Sequence, residues 1–156
     1  VKFEITMTIP NLTIHCDSEH HRKDNVIMPN LRPNETGAFL HKYRLKKILR
    51  WSISRRAGRT LEGTLILQAQ KGNETLRLKM VFQGLEEFRL QKRPNTMVIP
   101  ITLVRLEHLQ GLFFLNLDAY EDDGHAKVMD FRASDIYLAG RDLSYEELPP
   151  KEKKTP

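Results

Sequence analysis

Apolar and polar residues alternate with a period of two through most of this chain, and that pattern limits the possible folds more than any other feature. Side chains on a strand point alternately to its two faces, so a segment of this kind buries one face and wets the other. Phe3, Ile5, Met7 and Ile9 alternate with Lys2, Glu4, Thr6 and Thr8 up to Pro10. Tyr43, Leu45, Leu49, Trp51 and Ile53 fall on one side of a strand over 43–55, with Lys42, Arg44, Lys46 and Arg50 on the other. Leu61, Gly63, Leu65, Leu67 and Ala69 follow the same rule, as do Leu76, Leu78, Met80 and Phe82 beyond a turn at Lys71-Gly72-Asn73.

The connections are short. Arg55-Arg56-Ala57-Gly58-Arg59 carries a glycine and predicts a hairpin. Gly84 breaks the alternation, and Leu85, Phe88 and Leu90 predict a separate short element after it. Leu112 to Leu117 is almost continuously apolar, which predicts a strand covered on both faces. Glu121-Asp122-Asp123-Gly124 reads as a hairpin turn that returns the chain as a strand over 128–133 toward Ile136-Tyr137-Leu138. The expected fold is mainly β (α+β), an antiparallel meander sheet of six or seven strands, partly rolled, with one or two short helices. Leu45, Ile48 and Leu49 also fit helical spacing, so 38–48 is open to helix or strand, and 97–110 has no clear period.

A chain of 156 residues suits one domain with a real core. Residues 1–148 are expected to form it, with a long loop over 16–37 marked by Pro29, Asn30, Pro33, Asn34 and Gly37. The polar run after Pro149-Pro150 has nothing apolar to pack and reads as a disordered tail over 149–156. No window approaches the ~18 uninterrupted apolar residues of a spanning helix, so no membrane role is expected. Cys16 is the single cysteine, which excludes an intrachain disulfide framework, and no secretory signal pattern is visible, so the expected location is cytoplasmic.

The formal charge of +5 conceals a separation. Residues 37–61 contain Lys42, Arg44, Lys46, Lys47, Arg50, Arg55, Arg56 and Arg59 and no acid. Residues 116–148 hold Asp118, Glu121, Asp122, Asp123, Asp130, Asp135, Asp142, Glu146 and Glu147 against Lys127, Arg132 and Arg141. The two blocks either pair across neighbouring strands or stand as opposite faces.

Catalytic and cofactor chemistry have little to stand on. His15, Cys16, Asp17, Glu19, His20 and His21 are metal-ligand types crowded within seven residues, whereas structural zinc sites bring together separated pairs, so no metal is expected. The acidic turn departs from a calcium loop, because aligning Gly124 with the loop glycine puts Ala119 at the first ligand position. No Gly-x-Ser-x-Gly elbow or phosphate-cradling glycine motif is present, and neighbouring carboxylates such as Glu86-Glu87 point to opposite faces of a strand. No catalytic residue, cofactor or enzymatic activity is therefore expected. Sequons at Asn11, Asn34 and Asn73 read as turn chemistry.

The basic block has a functional shape. Lys42, Arg44, Lys46 and Arg50 on one side of a strand, with Arg55, Arg56 and Arg59 at its hairpin, form a stripe able to neutralise phosphates. Single-strand binders also place stacking aromatics on that face, and Tyr43 and Trp51 fall on the other.

From residue 76 onward the order of elements is Leu-Arg-Leu-Lys-Met-Val-Phe, Gly-Leu-Glu-Glu-Phe-Arg-Leu, a connector, Leu-Phe-Phe-Leu-Asn-Leu, an acidic glycine turn and a strand ending Ser-Asp-Ile-Tyr-Leu. This order resembles small bacterial β-sheet immunity proteins of polymorphic toxin systems, over about 76–138. The resemblance implies a non-enzymatic module that binds a partner protein, and it assigns no individual residue. The leading expectation is thus a bacterial protein-binding domain that offers Asp118, Glu121, Asp122 and Asp123 to a basic partner. The alternative is a nucleic-acid-binding module that uses the 42–59 stripe.

Overall fold

The structure is a computed structural model that describes residues 14–16, 28–55, 60–91, 99–119 and 127–149. The chain order is β1 (Ile14–Cys16), a 3-10 turn (Pro33–Glu35), α1 (Thr36–Lys42), β2 (Arg44–Arg55), β3 (Leu61–Lys71), β4 (Glu74–Leu90), β5 (Ile99–Pro100), β6 (Arg105–Leu109), β7 (Leu112–Asn116), α2 (Val128–Arg132) and β8 (Ile136–Leu148). Six of the strands form one antiparallel sheet in the order β2-β3-β4-β8-β7-β6, as expected of a mainly β chain with two short helices. It combines two meanders, β2-β3-β4 and β6-β7-β8, joined where β8 pairs with β4. β1 adds in parallel to the outer edge of β2 at Ile53–Arg55, and β5 pairs with the same edge at Lys47 and Ile48.

The sheet is rolled but not closed, and chain length requires the curvature. Pro100 pairs with β2, and Arg105 begins β6 at the opposite end of the sheet. Five Cα steps span at most ~18 Å. Six interstrand spacings in a flat sheet would need ~29 Å. The ends therefore curl toward each other, and α1, which leads into β2, packs against β6.

The concave side holds the core. Leu45, Ile48 and Ile53 of β2 meet Leu65, Leu67 and Ala69 of β3, then Leu78, Met80 and Phe82 of β4, Leu138 and Leu143 of β8, Phe113 and Leu115 of β7, and Leu106 of β6. Phe39 of α1, Tyr43 and Tyr145 close one end as a three-ring cluster, with centroids 4.9 to 5.9 Å apart. β7 is covered on both faces as expected. Phe113 and Leu115 face the main core, while Phe114 packs on Phe131 of α2 at 5.2 Å.

Several expectations are corrected. The segment over 128–133 is the helix α2, not a strand. Val128 and Phe131 lie three apart on its packed side, and Asp130 accepts the Lys127 N–H at 2.6 Å to satisfy its first turn. Gly84 does not end a strand, because β4 runs through it to Leu90. With φ at +60° it takes a left-handed turn within the strand, Phe82 and Leu85 on either side of it are both buried, and a bulge in the pairing with β8 follows between Leu85 and Glu87. Opposite Leu85, Gly140 permits close approach, since a Cβ there would lie 3.2 Å from Phe82.

Residues 38–48 divide into both alternatives, with α1 ending at Lys42 and β2 starting at Arg44. Residues 97–110 contain β5 and β6. Within 28–37, expected as loop, Leu31 is buried and pairs with β8 through its N–H to the Leu143 carbonyl at 2.7 Å. The alternating segment 3–9 lies outside the described residues, as do the 150–156 portion of the tail and the turn at 121–124.

Candidate functional site

The convex side of the sheet carries the feature that stands out. Residues directly opposite one another in an antiparallel pair share a face. Leu45, Ile48, Trp51 and Ile53 of β2 stand opposite Ala69, Leu67, Leu65 and Gly63, all on the concave side. Arg44, Lys47 and Arg50 stand opposite Gln70, Gln68 and Ile66 on the convex side.

Arg44, Lys47 and Arg50 are three apart in sequence, yet their partners step by two. The difference is made by two bulges, between Leu45 and Lys47 and between Ile48 and Arg50. Each inserts one extra residue, Lys46 and Leu49, and so returns the next cation to the outer face. The three cations form an even row with a repeat of ~7 Å along the strand. A regular strand would have sent Lys47 into the core.

This row is not the one expected from alternation. Lys46 sits in a bulge, half-buried, and its carbonyl accepts the Ile101 N–H at 2.9 Å. Lys42 precedes the strand, with Nζ 5.1 Å from the Tyr43 ring centroid. Arg55 stands two residues past Ile53, opposite Leu61, and so on the other side of the strand from the row. Arg56 and Arg59 lie outside the described residues. Leu49, expected in the core, is 38% exposed, and Ile48 takes its place.

The basic row is not consumed by the acidic block. Among the described residues, Arg44, Lys47 and Arg50 form no ion pair, and Glu146 and Glu147 of the acidic block are committed elsewhere. Glu146 pairs with Lys79 at 3.7 Å. Glu147 accepts from Lys71 at 2.9 Å and from the Tyr43 hydroxyl at 2.6 Å. These bonds, that of Tyr43 first, hold the Glu147 carboxyl below its ordinary range, while burial and the same bond push the Tyr43 phenol up.

Asp118, read as a partner-binding acid, is turned inward. Its carboxylate lies against the buried Ser134 hydroxyl and accepts the backbone N–H groups of Asp135 and Ile136, each at 3.3 Å. Ser134 Oγ also lies 2.8 Å from Asn116 Oδ1 and accepts the Ile136 N–H at 3.1 Å. This network fastens the end of β7 to the start of β8. Glu121, Asp122 and Asp123 lie outside the described residues, and so do the side chains of His15 and Cys16 and all of 17–21. Among the described residues no group of three or more His, Cys, Asp or Glu is placed to hold a metal. No helix among them is long and apolar enough to cross a membrane.

Arg77, which the sequence reading did not single out, joins the convex face. It stands opposite Gln68 of β3 and Leu148 of β8, in the same transverse row as Lys47. Its Nη2 donates to the Pro149 carbonyl at 3.0 Å, and its Nε is buried with no acceptor among the described residues. An unsatisfied buried donor costs about 1–3 kcal/mol. A groove of about 750 Å³ opens beside it, lined by Leu49, Gln68, Leu76, Leu148 and Pro149, with Glu74 and Glu147 also in its wall. Only cross-strand register brings these residues together, so no local sequence signal marks Arg77. Comparison of the chain with protein-family models, with curated proteins and with solved structures found no match.

Proposed function

We propose that this domain is a non-enzymatic binding module that recognises an acidic protein partner through the convex face of β2-β3-β4. The observation that carries this reading is the row Arg44, Lys47 and Arg50, aligned by two bulges and without acid partners among the described residues. Cations left unpaired on a regular surface steer an oppositely charged partner and fix its register. A protein partner fits better than a nucleic acid because Leu49, Ile66 and Leu148 are interspersed with the cations, while the aromatic residues Tyr43 and Trp51 lie on the opposite side. The resemblance to immunity proteins implies the same class of activity. The acidic turn is not needed for this reading, and Asp118 serves the fold.

The test is affinity capture from the source organism with the wild-type chain and with Arg44→Gln/Lys47→Gln/Arg50→Gln. A protein recovered in stoichiometric amount by the wild type and lost with the triple variant is the expected result. Nuclease-sensitive material in its place would favour the nucleic-acid alternative. Recovery that is indifferent to the three substitutions would contradict the assignment of the face.

A further inference from the structure

The groove beside Arg77 has three properties that together specify an occupant. Its floor and rim are partly apolar, with Leu49 displaced outward by its bulge, Leu148 and Pro149. It is flanked by Lys47 and Arg50, which form no ion pair among the described residues, so its electrostatic surroundings attract negative charge. The two acids in its wall do not cancel that field. Lys71 offsets Glu147, to which it donates, and the remaining acid, Glu74, stands against three cations, Lys47, Arg50 and Arg77.

The third property is the state of the Arg77 guanidinium. The Nε and Nη2 hydrogens of an arginine lie along one edge and can grip a carboxylate with two parallel bonds. Arg132 shows this arrangement within the same molecule. Its Nε and Nη2 hold the two oxygens of Glu87 at 2.9 and 2.5 Å. In Arg77 the same edge is half used, with Nη2 on the Pro149 carbonyl and Nε on nothing among the described residues. A single backbone oxygen occupies the place where a carboxylate would satisfy both donors.

We propose that this groove binds an acidic segment of a partner protein, with a carboxylate on the Nε/Nη2 edge of Arg77 and an apolar side chain against Leu49 and Leu148. The carboxylate displaces the Pro149 carbonyl, so occupancy frees the chain at Pro149 from the sheet. This inference rests on the reading of the convex face as the binding surface and adds the anchor that gives it selectivity. A nucleic-acid strand would offer phosphates to the cations but no aliphatic group for the apolar wall.

The experiment uses the full chain and two fluorescein-labelled peptides of equal length and charge. One contains only Glu and Ser, and the other has a central Ser replaced by Leu. Fluorescence anisotropy is read for the wild type, Leu49→Ser, Arg77→Lys and the Arg44/Lys47/Arg50 triple glutamine variant, with an oligonucleotide of equal charge as a further probe. The Leu-containing peptide is expected to bind the wild type about tenfold more tightly, as burial of one aliphatic side chain allows. Leu49→Ser removes that preference, and Arg77→Lys, which keeps the charge but loses the fork, weakens both peptides severalfold. Leu49 is exposed, so its replacement leaves the core intact. Equal binding of the two peptides, lost in the triple variant, would overturn the groove while leaving the basic face standing. Absence of binding by either peptide would overturn both. Tighter binding of the oligonucleotide, indifferent to Leu49→Ser, would overturn the acidic segment in favour of nucleic acid.

Discussion

Tyr43 and Glu147, 104 residues apart, share a hydrogen bond of 2.6 Å, and Lys71 donates to the same carboxylate oxygen at 2.9 Å. One carboxylate thus ties the entry to β2, the end of β3 and the end of β8 at the edge of the aromatic cluster. A carboxyl whose folded pKa lies below its unfolded value of about 4.3 stabilises the fold above that pH, and the contribution is lost as pH falls through the folded value. Glu147 is such a group. Tyr43→Phe is expected to cost about 1 kcal/mol near neutrality, at the low end for a bond to a charged group because Glu147 remains partly solvated. The difference between variant and wild type should shrink as pH is lowered below about 4. Urea midpoints at several pH values check this, and a difference independent of pH would count against the role given to Glu147.

Ser134 fills the gap between Asn116 and Asp118 and is itself buried. Replacing it with Ala removes the hydroxyl between the two acceptors and leaves the Ile136 N–H with only its longer bond to Asp118. Ser134→Ala should lower stability by about 1–3 kcal/mol. Its binding to the Leu-containing peptide should be unchanged, because the network lies on the opposite part of the fold from the basic row.

At Gly84 a side chain faces two obstacles. The backbone has φ of +60°, and a Cβ would lie 3.3 Å from the Arg141 side chain. Gly84→Ala is therefore expected to cost about 1–3 kcal/mol. A thermal midpoint equal to that of the wild type would mean that the backbone at Gly84 is not left-handed as described.

The bulges separate two otherwise similar neighbours. Lys47 faces out in the row with Arg44 and Arg50, whereas Lys46 sits in the bulge. Lys47→Gln should weaken the acidic peptide severalfold and Lys46→Gln only slightly. Equal losses would show that total charge matters and the row does not.

Parts of this architecture were legible because local pattern and pairing agree. β3 and the first half of β4 pair without interruption from Lys71 opposite Glu74 to Glu62 opposite Gln83, so strict alternation gave the correct faces for Leu65, Leu67, Leu78 and Met80. β2 misled because nothing in Lys46-Lys47 or Leu49-Arg50 announces an extra residue. The bulges exist only against the register of β3. α2 carried a missed signal, since Asp130 three residues after Lys127 and the spacing of Val128 and Phe131 are helical features. The basic block was visible as composition, but its arrangement was not. Asp118 read as a surface acid because the fold, and not the sequence, brings Ser134 beside it.

The central claim is that Arg44, Lys47 and Arg50 act together as an unpaired cationic row. It is tested most directly by the salt dependence of Leu-containing acidic peptide binding to the wild type and to Arg44→Gln/Lys47→Gln/Arg50→Gln. Exposed charges are screened over a Debye length of about 10 Å at 0.1 M salt, so the wild-type affinity should fall steeply as salt is raised. The triple variant should bind weakly even at low salt and show a nearly flat response. A variant that retains wild-type affinity and the same salt slope would contradict the account.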